Sequence, residues 1–192
     1  MIILIDVMEQ HPWTFSNIRA DADRGGQILD VQTQRSALGP TFGDYSLDGY
    51  HGRCHIERKS VEDAHGTILG WGDRRDRFQR ELSNLSTIEC SAVVVECSLQ
   101  HLIQTAPSHG KKTSSENAKI LFRQVLAWQQ DFRGVPWVFC DGRRMAEIAA
   151  FRILERFWRN ARKSERAELR AAKQVAKQAA EVDSAQLTLM EL

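Results

Sequence analysis

The spacing of apolar positions in the first third of the chain predicts mainly strands. Residues 2–5 are four consecutive apolar side chains followed by polar residues, a pattern typical of a short buried strand. Residues 28–35 alternate between apolar and polar side chains and predict a second strand. Residues 45–47 and 54–58 predict a hairpin, because glycines lie in the segment between them. Residues 16–23 predict a short helix before a pair of glycines.

Helical and strand patterns alternate over the rest of the chain. Ser60 is a suitable N-cap for a helix that begins near Val61. Further helices are predicted over residues 73–86, 98–104 and 116–131, and further strands over residues 91–96 and 137–140. Residues 107–117 lack apolar anchors and predict a mobile loop. A long last helix is predicted from Arg144 to near Ala180, with these side chains facing inward: Met145, Ile148, Ala149, Ile153, Leu154 and Phe157.

This alternation of strands and helices predicts an α/β fold with a mixed central sheet flanked by helices and followed by a long C-terminal helix. The 192 residues and the 42% hydrophobic content suit one domain with a full core plus a tail. No apolar run approaches the ~20 residues of a membrane span, so the chain is expected to be cytoplasmic or nucleoid-associated and to have no membrane partner. Four cysteines without Cys-x-x-Cys spacing disfavour zinc and favour reduced thiols.

The distribution of charge is more informative than the net charge of +1. Residues 152–177 carry nine Lys or Arg and three acidic residues, whereas acidic residues collect around the candidate site described below. A phosphate-binding protein can be nearly neutral overall when its cations are clustered. A solvated basic helix is the alternative interpretation of the same residues.

Three short motifs between residues 43 and 63 carry the candidate chemistry: Gly43-Asp44-Tyr45, Glu57-Arg58-Lys59 and Asp63. In a strand, Glu57 and Lys59 point to one face and Arg58 points to the other. Asp44 and Glu57 are therefore candidate ligands of a divalent cation, and Lys59 would orient or deprotonate an attacking water. An exposed strand edge with an ion pair is the alternative for a minimal Asp and Glu-x-Lys pattern.

The complete set of motifs resembles the signature of the XPF-type structure-specific endonucleases, which belong to the PD-(D/E)xK nuclease superfamily. Four further segments resemble the same family in order along the chain: residues 2–6 with Glu9, residues 77–82, residues 92–96 and residues 134–139. Met8 departs from the pattern, because the family has an Arg before the equivalent Glu. That departure affects an expected DNA or phosphate contact but not the metal ligands.

The resemblance implies a restriction-endonuclease-like fold, with an XPF-type nuclease domain over residues 1–160. Residues 161–192 would form a basic helical extension and a flexible tail. It also implies a DNA endonuclease that depends on Mg²⁺ or Mn²⁺, with the Arg58 carbonyl as a third ligand. Asp6 and Glu9 would bind a second ion or its waters. The Arg58 and Asp63 side chains would support the catalytic residues.

The expected DNA contacts come from Arg74, Arg77 and Arg80 on a predicted helix and from Lys111 and Lys112 in the predicted loop. That loop is either a simple connector or a basic finger that orders on DNA. Flaps, forks, junctions and nicked duplexes remain open as substrates in repair, recombination or replication. A non-catalytic DNA-binding partner and a resolvase or restriction-type nuclease are the alternative functions, and a homodimer is left open.

The last residues contain a short motif of a different kind. Gln186-Leu187-Thr188-Leu189-Met190 resembles the Gln-Leu-x-Leu-Phe peptide with which bacterial DNA enzymes dock on the sliding clamp. Gln186, Leu187, Leu189 and Met190 are the candidate contacts, with Met190 in the place of the usual aromatic residue. Such a tether would raise the effective concentration of a nuclease on DNA. The alternative is a segment that packs on the protein's own surface.

Overall fold

A computed structural model describes residues 1–22, 28–39 and 42–190 of the chain, except for the side chains of residue 177 and residues 179–190. Six strands form one sheet: β1 (Ile2–Asp6), β2 (Gln32–Ser36), β3 (Tyr45–Leu47), β4 (Cys54–Lys59), β5 (Cys90–Val95) and β6 (Trp137–Phe139). Five helices accompany them: α1 (Val61–Ile68), α2 (Arg74–Leu85), α3 (Leu99–Gln104), α4 (Ser114–Asp131) and α5 (Arg143–Met190).

The sheet is mixed, with the strand order β2-β1-β3-β4-β5-β6. Strand β3 lies between β1 and β4 and is antiparallel to both. Strand β2 runs parallel to β1, and strands β4, β5 and β6 run parallel to one another. The predicted α/β class, the hairpin and the long last helix are confirmed. Among the described helices none is long and apolar enough to cross a bilayer.

The two faces of the sheet are covered by different parts of the chain. On one face, Val93 and Val95 of β5 pack with Leu82, Val125 and Trp128 of the helices α2 and α4. On the other face, the Trp13 ring stacks on Tyr45 with 4.8 Å between centroids, and Phe15 contacts both Tyr45 and Phe151 of α5. Side chains of successive residues in β4 therefore enter two different environments.

The chain divides into two compact units, Met1–Glu155 and Arg156–Leu192. All six strands, helices α1–α4 and the first residues of α5 belong to the first unit. The second unit contains the remainder of α5, in which most of the described side chains are exposed.

The prediction of a helix over residues 16–23 is wrong for its described part, because residues 16–22 form a turn and irregular backbone. Phe15 and Asn17 have φ angles of 55° and 57°, which a right-handed helix does not allow. The Phe15 N–H donates to Glu147 at 2.6 Å and the Asp21 N–H donates to Glu155 at 2.9 Å. These bonds to α5 hold the segment in an irregular path. Asp23 lies outside the described residues.

The loop predicted over residues 107–117 ends earlier in the structure, since helix α4 starts before Glu116. His109 and Lys112 exchange backbone hydrogen bonds around Gly110, which has a φ of +62°. Helix α4 then begins at Ser114, because Thr113 and Glu116 form a capping box in which each side chain accepts from the other residue's backbone N–H.

The long last helix differs from the prediction at both ends and in one core residue. Helix α5 begins at Arg143 and continues past Ala180 to Met190, because Ala, Gln, Leu and Glu sustain a helix. Met145 is 52% exposed rather than inward. The neighbouring Ala146 is fully buried and provides the inward contact at this turn.

Candidate active site

Asp44 lies directly before β3 and faces the adjacent strand β4. Its Oδ2 atom accepts a hydrogen bond from the Arg58 backbone N–H at 2.8 Å. Its own carbonyl accepts from the Asp6 N–H at 2.8 Å. The β3-β4 hairpin register, in which Tyr45 pairs with Ile56, thus brings a carboxylate from one strand beside the Glu-Arg-Lys segment of the other.

Glu57 and Lys59 of β4 share one face, as the alternation of the strand predicts. The Lys59 ammonium contacts Glu57 Oε1 directly and lies 4.4 Å from the centroid of the Phe78 ring. Glu57 is only 4% exposed. The structure therefore places a cation and a carboxylate together in a largely desolvated position under helix α2.

Glu81 of α2 is a third carboxylate at this position. It belongs to the family-like segment 77–82 but was not predicted as a site residue. Its side chain lies beside that of Glu57 and raises the pKa of that carboxyl. It lies one helical turn from Phe78 and beside Leu82, both of which are buried. The sequence does show an acidic residue at the margin of the buried face of a helix. It does not show that this residue meets Glu57, because the contact forms only when α2 packs on the sheet.

The electrostatics of this group show the effect of crowding several carboxylates around one lysine. Burial raises the pKa of Asp44 well above its usual value, and the nearby Glu57 raises it further. The pKa of Glu57 is raised by burial and then by Glu81. Burial acts to lower the pKa of Lys59, but the surrounding carboxylates outweigh burial and raise it.

The side chains of Asp44, Glu57 and Glu81 offer carboxylate oxygens, which are the ligands that a hard divalent cation prefers. A bound cation would also relieve the repulsion between these crowded groups. Within the described residues, however, no three His, Cys, Asp or Glu side chains are arranged to hold a metal ion. Mg²⁺ is commonly held by one or two carboxylates together with waters and substrate phosphates. Asp44 and Glu57 provide two carboxylates of the kind that such a site uses.

Arg58 points to the opposite face of the sheet and is the centre of a buried ionic network. Its guanidinium donates to both carboxylate oxygens of Glu96 at 2.8 and 3.0 Å, and it lies 3.3 Å from Glu9. Glu96 also accepts from the Trp13 indole at 2.8 Å and from Arg143 at 2.9 Å. Arg58 therefore links β4 to the N-terminal segment through Glu9 and, by way of Glu96, to Arg143 of α5.

Three other predicted site residues lie near the margin of the site, and the carboxylate of each accepts hydrogen bonds within the protein. The Asp6 carboxylate accepts from the backbone N–H groups of Met8 and Leu38, at 2.7 and 2.8 Å. Glu9 accepts from the His11 N–H at 2.7 Å in addition to its contact with Arg58. The Asp63 carboxylate accepts from the Ser60 hydroxyl at 2.9 Å. In this structure all three hold backbone turns or a helix end in place.

The predicted DNA-binding residues occur on two segments of the first unit. Arg77 and Arg80 are exposed on α2, and Arg74 is partly buried and lies 3.8 Å from Asp63. Lys111 and Lys112 are exposed in the turn before α4. The ring of His109 in that turn lies 4.9 Å from the ring of Trp71, in the segment before α2. The two basic segments are therefore brought close together.

The side chains of the clamp-like motif, Gln186, Leu187, Leu189 and Met190, lie outside the described side chains. The backbone of these four residues belongs to α5. Docking on a sliding clamp stays a prediction.

We expect Gly43→Ala to destabilise the protein, because a Cβ atom at this position would lie 2.6 Å from the Ile56 carbonyl oxygen and 2.9 Å from the Glu57 nitrogen. Backbone cannot move aside as a flexible side chain can, and overpacking of this kind costs about 1–3 kcal/mol. Denaturant unfolding measures the change. Gly52→Ala is the matched control, since nothing lies within 4 Å of its Cβ position. Equal free energies of unfolding for both variants would show that the close approach of Gly43 is unimportant.

The fold of the chain is similar to that of a solved structure, XPF from Aeropyrum pernix. The TM-score is 0.55 at 16% sequence identity, over 86% of this chain and 69% of that chain. A structure of XPF from Aeropyrum pernix in complex with DNA gives a TM-score of 0.48 at 19% identity, over 83% of this chain and 66% of that chain. No protein-family model and no curated protein sequence matches the chain. The predicted XPF-like fold is confirmed.

Proposed function

We propose that the chain is a divalent-metal-dependent DNA endonuclease that hydrolyses phosphodiester bonds. The observation that carries this proposal is the meeting of Asp44, Glu57 and Lys59 on one side of the β3-β4 hairpin, in a fold similar to that of XPF. The grouping contains oxygen donors for a metal and a cation for a phosphate. Cleavage of labelled DNA with and without Mg²⁺ or Mn²⁺ tests the proposal.

Each of the three residues has a distinct task in the proposed reaction. Asp44 and Glu57 would hold the Mg²⁺ or Mn²⁺ ion, which when bound acts as a Lewis acid on the scissile phosphate. Lys59 would orient the attacking water and offset the negative charge that develops on the phosphate. The Arg58 N–H keeps the Asp44 carboxylate turned toward β4.

Glu81 adds a third carboxylate to this proposal. Because it lies beside Glu57 and raises the pKa of that carboxyl, it would help to hold that ligand in place from helix α2. Asp6, Glu9 and Asp63 would support the surrounding backbone, in line with the contacts that their carboxylates make.

A catalytic role is favoured over that of an inactive DNA-binding partner by the completeness of the signature. Inactive relatives of the XPF-type family characteristically lose acidic or lysine residues from it, whereas this chain keeps Asp44, Glu57, Lys59 and Asp63. Branched or flapped DNA in repair, recombination or replication is the substrate class that the motif resemblance favours.

The proposed DNA surface follows one side of α2 toward the site. Arg74 and Arg77 precede Glu81 by about two turns and one turn of the helix, so all three lie along the same edge. Phosphate oxygens that approach the carboxylate cluster would therefore meet arginines on the way. Lys111 and Lys112 would extend this surface, because the His109 and Trp71 rings bring their turn next to the segment before α2.

Replacing Arg74, Arg77 and Arg80 with Gln should weaken DNA binding and flatten its dependence on salt. Each lost phosphate contact lowers the slope of log K against log salt by about 0.9 for duplex DNA. Fluorescence anisotropy titrations at several salt concentrations measure the slope. Arg133→Gln provides a control at an exposed arginine after α4. A slope unchanged in the triple variant would assign these arginines to the solvated surface.

A further inference from the structure

Two of the four cysteines are neighbours across the sheet. Cys54 at the start of β4 pairs in register with Cys90 at the start of β5. Side chains at paired positions in adjacent strands point to the same face. Neighbouring strands lie about 4.8 Å apart, which is within the range of about 4.4–6.8 Å that a disulfide spans between Cα atoms. Helices α1 and α2 lie between the two cysteines in the sequence, so the pairing exists only in the folded chain.

The two thiols are in contact and differ in character. Their side chains interact with each other. This interaction lowers the pKa of Cys90 and, together with burial, raises the pKa of Cys54. Cys54 is fully buried, whereas Cys90 is partly exposed. A reagent from solvent therefore meets Cys90 first, and the only thiol in contact with it in these strands is Cys54.

The other two cysteines provide a contrast. Cys97 and Cys140 are both buried, and burial raises the pKa of each thiol. Neither is paired with another cysteine in the strand register of the described residues. If only Cys54 and Cys90 react, the reason is their placement next to each other and not the general reactivity of thiols.

We propose that Cys54 and Cys90 are a redox-active pair that closes to a disulfide by exchange with a small-molecule disulfide. The Cys90 thiolate attacks one sulfur of the reagent, whose S–S bond breaks and releases one small thiol. Cys54 then attacks the Cys90 sulfur of the mixed disulfide and releases the second small thiol. Two protein thiols are oxidised, one small disulfide is reduced, and the two thiol protons end on the released thiols. The new bond ties the start of β4 to the start of β5.

The test is oxidation of the native protein with oxidised glutathione, followed by acid quenching, alkylation in denaturant and intact-mass analysis. The expected result is the loss of two of the four alkylatable thiols without a retained glutathione adduct, and full recovery after reduction. Peptide mapping without reductant should join the Cys54 peptide to the Cys90 peptide.

Two variants make the outcome specific. Cys97→Ser with Cys140→Ser should still lose two thiols to the same linkage. Cys54→Ala should instead retain one glutathione on Cys90, because the resolving thiol is missing. The proposal is overturned if the native protein keeps all four thiols, if the adduct on Cys90 persists in it, or if the link involves Cys97 or Cys140. This result is independent of nuclease activity, which the reaction does not require.

Discussion

Lys59→Ala and Asp44→Asn each abolish DNA cleavage in the proposed mechanism while DNA binding is largely retained. Loss of a charge that acts on the reacting phosphate or water costs about 10²–10⁴-fold in rate. Asn at position 44 keeps an oxygen that can accept from the Arg58 N–H, so the local hydrogen bond survives while the negative charge is removed. Single-turnover cleavage and gel-shift titration of the same DNA measure the two effects separately.

The matched controls for these variants use exposed residues of the same types. Lys119→Ala on α4 and Asp48→Asn in the hairpin turn should leave the cleavage rate within about twofold of the unmodified protein, since surface substitutions change little. A gel-shift loss as large as the loss of activity would make Lys59 and Asp44 determinants of binding or folding. Thermal unfolding of each variant identifies the folding case.

The largest expected effect on stability comes from Arg58→Met. The side chains of Arg58 and Glu96 are only 7% and 10% exposed, and removal of the guanidinium leaves the Glu96 and Glu9 carboxylates buried beside an apolar group. Breaking a buried ion pair in this way costs about 3–5 kcal/mol. Arg143 still contacts Glu96 and should keep the loss near the lower value. Equilibrium unfolding in urea measures the free energy.

The chain provides a matched control in an exposed pair with the same residue types. Arg53 lies 2.8 Å from Glu89, and their side chains are 46% and 57% exposed. Arg53→Met should therefore cost no more than about 1 kcal/mol. If both arginine variants lose similar amounts of stability, the network around Glu96 does not hold the N-terminal segment as described.

The strand pattern of β4 could be interpreted from sequence because alternation is a local property. Glu57 and Lys59 fall on one face and Arg58 on the other, as expected for any extended segment. The three motifs also indicated the XPF-like fold, which the solved structure with the TM-score of 0.55 confirms. Their catalytic and metal-binding roles remain predictions.

Features that depend on packing between distant segments were not predictable in the same way. Glu81 reaches Glu57 only after α2 packs on the sheet, and Cys54 meets Cys90 only through the parallel register of β4 and β5. The irregular path after Phe15 depends on hydrogen bonds to α5, which override the local helical pattern. The capping box at Thr113 is different, because its Thr-x-x-Glu pattern is local and could have predicted from the sequence that α4 begins at Ser114.

The most direct test of the central claim is a cleavage assay on a panel of labelled DNAs. Flap, fork, junction, single-stranded and duplex substrates are each incubated with Mg²⁺, with Mn²⁺ and with EDTA. The proposed site predicts cleavage of at least one substrate in the presence of either metal and none with EDTA, and the product lengths give the position of the cut. Absence of metal-dependent cleavage on every substrate, with the protein folded and bound to DNA, would contradict the assignment of an endonuclease.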